Sequence, residues 1–181
     1  MQSPFYPSSS AEPDPSAQNL RIARFLARLD RLSDALGMSV PPIVDIERLR
    51  SLPSDTLGRV WADSLDRQGL QPFTTGPRRK QLHDGVHILT GYGTDAIGEI
   101  EVQAFLLGTK FHFAHVMLGL GLLRQVRQQS QRSSLSLESI KVRLRQAYQR
   151  GQQTQFDVDT WQPELMWSLP LNEVRSQVGL S

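Results

Sequence analysis

Apolar side chains recur every three to four residues along most of the chain. No stretch sustains the two-residue alternation of a half-buried strand. Ile22, Phe25, Leu26, Leu29, Leu32 and Leu36 fall on one helical stripe, with Arg21, Arg24, Arg28, Arg31 and Asp34 off it, and Gly37 stops it. Pro41-Pro42 reads as a connector, and Asp45 to Leu52 as a short helix. Pro53-Ser54 opens a helix that turns Leu57, Val60, Trp61 and Leu65 inward and ends before Gly69. Gln71 to Pro77 is a loop, and Gly91-Tyr92-Gly93 is a second break. Thr94 is then placed to cap a long, strongly apolar helix, with Asp95 in its first turn. From Val102 to Leu123 its polar residues are Gln103, Thr109, Lys110, His112 and His115. Ser134 or Ser136 caps a further helix through Leu137, Ile140, Leu144 and Ala147 to Gly151. Trp161 and Trp167 lie in an irregular stretch, and Pro170 opens a short last helix. The pattern predicts an all-α fold, a single domain of about six to seven helices around a long apolar central helix.

Length and composition sharpen this picture. At 181 residues the chain is one domain large enough to bury a real core. Residues 1–18 are rich in Ser and Pro, with two acids and no Lys or Arg, and are expected to be a disordered tail ahead of a folded domain over 19–181. They match neither a secretory signal nor an Arg-rich transit peptide, so the expected location is cytoplasmic, peripheral to the inner or plasma membrane. The central helix has the length of a bilayer span, but Lys110, His112 and His115 would lie mid-span, where each is costly. It is expected instead to be buried or to line a pocket. With no cysteine, disulfides, thiolate ligands and thiol nucleophiles are excluded. Charge is uneven: residues 110–150 carry +7 within a net charge of +2. That suits an anionic membrane surface. No aromatic stacking pattern accompanies the charge, so nucleic acid is not an expected partner. The Arg78-Arg79-Lys80 run reads as a solvated turn.

The candidate chemistry lies at His83-Asp84-Gly85-Val86-His87, with Glu99 beyond the break. On a helix, with His83 at 0°, His87 falls at about 40° and Asp84 at about 100°. The three border the apolar side marked by Leu82, Val86 and Leu89. Two imidazoles one turn apart beside a carboxylate form the helix-borne half of a divalent metal site, or else a capped pair of structural histidines. Glu99 can complete the site if the next helix folds back. On a continuous helix, Glu99, Leu106, Phe113 and Met117 share one line within about 20–40°. Together with Val102 they form a candidate lipid groove starting at the metal. His112 and His115 point elsewhere. Ala104 and Gly108 make a small-xxx-small pair, expected either in a homodimer or in close packing within one copy. A His-Asp phosphohydrolase would need another ligand histidine upstream, and none precedes His83.

The run Leu82 to Asp95, with Gly98-Glu99 and Gln103-Ala104-Phe105, resembles the hallmark of the Coq-four family of ubiquinone (coenzyme Q) biosynthesis proteins: His-Asp-x-x-His, eleven residues, then Glu. Leu52 to Arg59 with Trp61-Ala62, and the closing Pro170-Leu171 and Glu173-Val174-Arg175, are similar to flanking parts of that family. The likeness covers residues 20–181. It implies an all-α fold and a zinc-type site on His83, Asp84, His87 and Glu99. It also implies a peripheral membrane protein that handles polyprenylated ring precursors alongside other quinone-biosynthesis enzymes. Two roles come with it: a lipid-binding scaffold, and a metal-dependent lyase that removes the ring carboxyl of a hydroxy-methoxy-polyprenylbenzoate. The chain departs from the family in lacking a mitochondrial presequence, which points to a bacterial form. It also carries Gly85 where many members have a bulky side chain, which is expected to widen the site or loosen the helix.

Overall fold

The computed structural model describes residues 37–110 and 136–180. They form seven α-helices: α1 Ile46–Arg50, α2 Leu57–Gln68, α3 Arg78–Gln81, α4 His83–Thr90, α5 Ala96–Thr109, α6 Leu137–Gln153 and α7 Leu171–Gln177. One 3-10 turn spans Pro163–Leu165. Extended pairing among the described residues is limited to two isolated bridges, Ser39 with Pro77 and Thr56 with Pro170. The all-α class expected from periodicity holds. The N-terminal tail, the stripe from Ile22 to Leu36, and His112, Phe113, His115 and Met117 lie outside the described residues.

Local chemistry explains the boundaries. Asp45 caps α1 by accepting from Arg48 N, and Thr56 caps α2 by accepting from Arg59 N. Gly69, at φ 65°, ends α2 in a left-handed turn that favours glycine. The N-cap of α5 is Asp95 rather than Thr94. Its carboxylate accepts from Gly98 N at 2.8 Å, placing a full negative charge at the positive end of the helix. α5 is 14 residues long and stops at Thr109, so the long continuous helix expected from the apolar run is interrupted there. Lys110 is extended (φ −157°, ψ 126°). Its ammonium reaches Asp157 at 3.0 Å and Asp159 at 3.4 Å, while Thr109 Oγ1 donates back to Leu106 O. Two carboxylates on the 154–162 segment thus meet the Lys110 ammonium where α5 ends.

The core lies between α2, α4, α5 and the irregular stretch after α6. Trp61 is fully buried. It stacks on Trp161 with 6.2 Å between ring centres and meets Trp167 edge-on at 5.2 Å. Phe156 links Trp161 to Phe105, which packs on Tyr92. A Cβ on Gly85 would lie 2.2 Å from the Trp61 ring and 3.0 Å from Trp161. The volume that a bulky residue would take is therefore filled by indoles, and the expected widening of the site does not arise. α5 and α6 approach backbone to backbone: a Cβ on Gly108 would meet Tyr148 O at 2.2 Å, and one on Gly151 would meet Phe105 O at 2.1 Å. The Gly108 side of the small-residue pair is therefore covered by α6 within the same chain. Arg143 on α6 clamps the buried Glu101 of α5 with two hydrogen bonds of 2.8 and 2.7 Å.

Candidate metal centre

Leu82 ends α3 and begins α4, which sets His83 in the first turn of α4 and His87 one turn later. Gly91, at φ 76°, closes α4 in the left-handed region. The short 92–95 linker then reverses the chain so that Glu99 enters from the first turn of α5. The fold-back is tight, because a Cβ on Gly98 would lie 1.8 Å from Gly93 O. Glu99 Oε2 lies 3.3 Å from His83 Nε2, and Glu99 Oε1 lies 3.2 Å from His87 Nε2. The two imidazole centres are 4.8 Å apart. Among the described residues, His83, His87 and Glu99 are the group of three whose ligand atoms all fall within 4.8 Å of one another. Asp84 lies on the other edge of His83, with Oδ1 3.6 Å from Nδ1. Three of the four residues expected as ligands converge, and the fourth backs one of them.

The hydrogen bonding fixes which atoms are free. His87 Nδ1 is 3.2 Å from Tyr92 O. A carbonyl can only accept, so Nδ1 carries a proton, and Nε2 is a bare lone pair whenever the ring is neutral. That Nε2 is buried and has no hydrogen-bond partner, yet it faces a carboxylate oxygen at 3.2 Å. Two acceptors in contact need a proton or a cation between them. Burial alone would lower the His83 pKa, but Asp84 and Glu99 outweigh it and raise it to about 9. Burial would raise Glu99, but the two imidazoles outweigh it and hold the carboxyl at about 2. Two imidazole Nε2 atoms and one carboxylate make a donor set suited to a divalent ion of the zinc type. The Tyr92 carbonyl on His87 and the Asp84 carboxylate behind His83 are the outer contacts that orient such ligands. The residues therefore fit the metal that the motif implies.

The lipid-groove residues are less favoured by the geometry. Val102 and Leu106 are buried in the main core, at 0% and 4% exposure, and Phe113 and Met117 lie outside the described residues. Open space beside the site lies elsewhere, next to His87. It is a cleft of about 440 Å³ lined by residues of α2, α4, the 91–94 linker and α7, His87 among them. Sequence reading missed Arg67, Gln68 and Arg175 in this lining, because no motif joins α2 to α7. The basic segment is also partly committed internally. Lys141 pairs with Glu138, Arg143 with Glu101, and Arg150 donates to Thr90 O and lies over the Tyr92 ring. Arg78 and Arg79 likewise bind Glu164 and Asp159, so the basic run is not a solvated turn. Among the described residues no helix is long and apolar enough to cross a membrane.

Comparison with known proteins identifies the chain's relatives. Residues 41–181 match the family model described as coenzyme Q (ubiquinone) biosynthesis protein Coq4. The mitochondrial ubiquinone biosynthesis protein COQ4 of Clavispora lusitaniae is 28% identical over 143 residues, covering 66% of this chain and 44% of that protein. Its counterpart in Meyerozyma guilliermondii is 34% identical over 102 residues, covering 43% of this chain and 33% of the relative. The chain thus spans less than half the length of these curated relatives. A crystal structure from Nostoc punctiforme, carrying a ubiquinone-biosynthesis description, superposes with a TM-score of 0.64 at 21% identity, over 78% of this chain and 70% of that one, which supports the fold. With the family model spanning both His83-Asp84-x-x-His87 and Glu99, the chain belongs to the Coq4 family of coenzyme Q (ubiquinone) biosynthesis proteins.

Proposed function

We propose that the chain acts in ubiquinone biosynthesis by holding a polyprenylated ring precursor beside a divalent metal, most simply zinc, on His83, His87 and Glu99, with Asp84 orienting His83. The observation that carries this reading is the buried, unpartnered His87 Nε2 facing the Glu99 carboxylate. Three protein donors leave a coordination position open, the arrangement of catalytic rather than purely structural sites. This favours chemistry on the ring, such as loss of the ring carboxyl as carbon dioxide with a proton delivered to the vacated ring carbon. An ion held there would supply Lewis-acid polarisation of a ring oxygen. With His83 Nε2 given to the ion, its other nitrogen stays directed at Asp84, and water in the open cleft supplies the proton taken up by the ring carbon. Family membership supports the pathway and the company of other quinone-biosynthesis enzymes. The exposed cations of α6, Lys141 and Arg145, support contact with an anionic membrane surface.

The test is a titration with a polyprenylated hydroxybenzoate in anionic liposomes, read by tryptophan quenching with and without zinc. The expected result is saturable binding that tightens when zinc is present, together with carbon dioxide release from a carboxyl-labelled precursor. Binding without release would support the alternative of a lipid-binding scaffold. Absence of binding in both conditions would refute the proposal.

A further inference from the structure

The cleft beside His87 has a use that the metal centre does not exhaust. Val60, Ile88, Tyr92 and Leu171 give it apolar walls, and Ser64, Gln68, Arg67 and Arg175 give it polar groups. Its volume of about 440 Å³ is in the range of small-molecule sites. A small recess adjoins it, sharing Ser64, Gln68 and His87 and adding Trp61 and Asp84. The indole N–H of the fully buried Trp61 has no hydrogen-bond partner.

The charge of the cleft is uncompensated. Arg67 donates from Nε to Asp63 O, and Arg175 donates to Leu89 O and Ile88 O at the end of α4. Neither meets a carboxylate among the described residues. The acids nearest Arg67 are engaged elsewhere, Asp63 by Arg59 and Asp66 by Arg50. Arg150, on Thr90 O, likewise has no acidic partner among the described residues and adds to the positive potential. A guanidinium offers five donors, so both cleft arginines have donors to spare. Asp84 is the one acid lining the recess, and the cleft that holds both arginines is lined by no acid.

We propose that this cleft is a subsite for an organic anion with an apolar body, the anionic group held by Arg67 and Arg175 and the body lying on Val60, Ile88 and Tyr92 beside His87. It rests on the function proposed above for the identity of the occupant, a carboxylated ring, but its charge and shape do not depend on the metal.

The test uses the full chain, both zinc-loaded and stripped with EDTA, titrated with 4-hydroxybenzoate and separately with inorganic phosphate. Tryptophan fluorescence and calorimetry give the affinity, and metal analysis gives the zinc content. Wild type is expected to bind 4-hydroxybenzoate saturably. Arg67→Gln is expected to weaken it about tenfold or more, the loss of one charged hydrogen bond, with zinc content unchanged. Arg175→Lys is expected to weaken it as well, with a urea midpoint measured alongside because Arg175 also caps α4. Affinity in Arg67→Gln equal to wild type would overturn the subsite, as would no saturation in wild type. Phosphate binding as tightly as 4-hydroxybenzoate would overturn the apolar-bodied occupant. Zinc bound normally with no 4-hydroxybenzoate bound would refute the subsite alone. Arginine-dependent binding by a protein that takes up no zinc would support the subsite and refute the metal centre.

Discussion

Gly98→Ala is expected to damage the site without touching a ligand. The added methyl would lie 1.8 Å from Gly93 O, 2.3 Å from Gly93 C and 2.7 Å from its Cα, about 1.5 Å closer than ordinary contact. All three obstructing atoms are backbone, so no side chain can swing aside. Either α5 or the 91–95 linker must shift by on the order of 1 Å. Overpacking of this kind costs about 1–3 kcal/mol. The upper end applies here, against a gain of about 1 kcal/mol from replacing Gly by Ala in a helix, leaving a net loss of about 2 kcal/mol. Tyr92 O adjoins the displaced peptide, so its bond to His87 Nδ1 should break, and losing such an orienting contact lowers metal affinity about 10–100-fold. Urea denaturation of metal-free protein and competition titration with a zinc chelator measure the two effects. Gly69→Ala is the control. It is strained at φ 65° but has open space around it, and should lose about 1 kcal/mol with zinc affinity unchanged. A Gly98→Ala protein as stable and as tight for zinc as wild type would refute the fold-back geometry.

Zinc affinity should also depend on pH through His83. Its raised pKa of about 9 means a metal must displace its proton at any lower pH. The association constant, corrected for buffer, should therefore climb about tenfold per pH unit and flatten near pH 9; flattening near pH 6.5 would show an unperturbed histidine. In the metal-free protein the same ion pair contributes stability fully below pH 6.5 and loses it as pH rises through about 9. The Glu99 contribution, from a pKa held at about 2, is present above about pH 4.5 and lost as pH falls toward 2; a flat urea midpoint from pH 6 to 10 would contradict the His83 part. Gly151→Ala should lower stability by about 2 kcal/mol, because its methyl meets Phe105 O at 2.1 Å, and a wild-type urea midpoint would refute the α5–α6 contact. Glu101→Gln should cost about 1 kcal/mol, because the Arg143 side chain it clamps is 41% exposed and water takes over part of its charge, which a wild-type urea midpoint would contradict.

Much of this architecture was legible in the sequence wherever one local cause dominated. The stripe Leu57, Trp61 and Leu65, with Gly69 after it, marked α2, and the i, i+4 histidines with the Gly91-Tyr92-Gly93 break marked both halves of the His83, His87 and Glu99 cluster. Where tertiary contacts decide, sequence periodicity misled. The apolar run from Val102 to Leu123 reads as one helix, but α5 ends at Thr109, and Lys110 is extended and pairs with Asp157 and Asp159, far along the chain. Gly108 reads equally as a dimer contact or an internal one until α6 is seen against it. Gly85 looks like spare room until Trp61 and Trp161 fill it. Asp84 shares the helix face of the histidines by spacing, yet it meets His83 on the nitrogen that points away from Glu99. The backbone carbonyl of Tyr92, which fixes the His87 tautomer, carries no sequence signal at all.

The most direct test of the metal centre is the zinc stoichiometry of purified wild type and His87→Gln, measured by native mass spectrometry with helical content checked by circular dichroism. The geometry predicts one zinc per wild-type chain and almost none in His87→Gln, with helical content preserved because glutamine still fits a helix and the core indoles remain packed. A folded His87→Gln protein that carries as much zinc as wild type would contradict it.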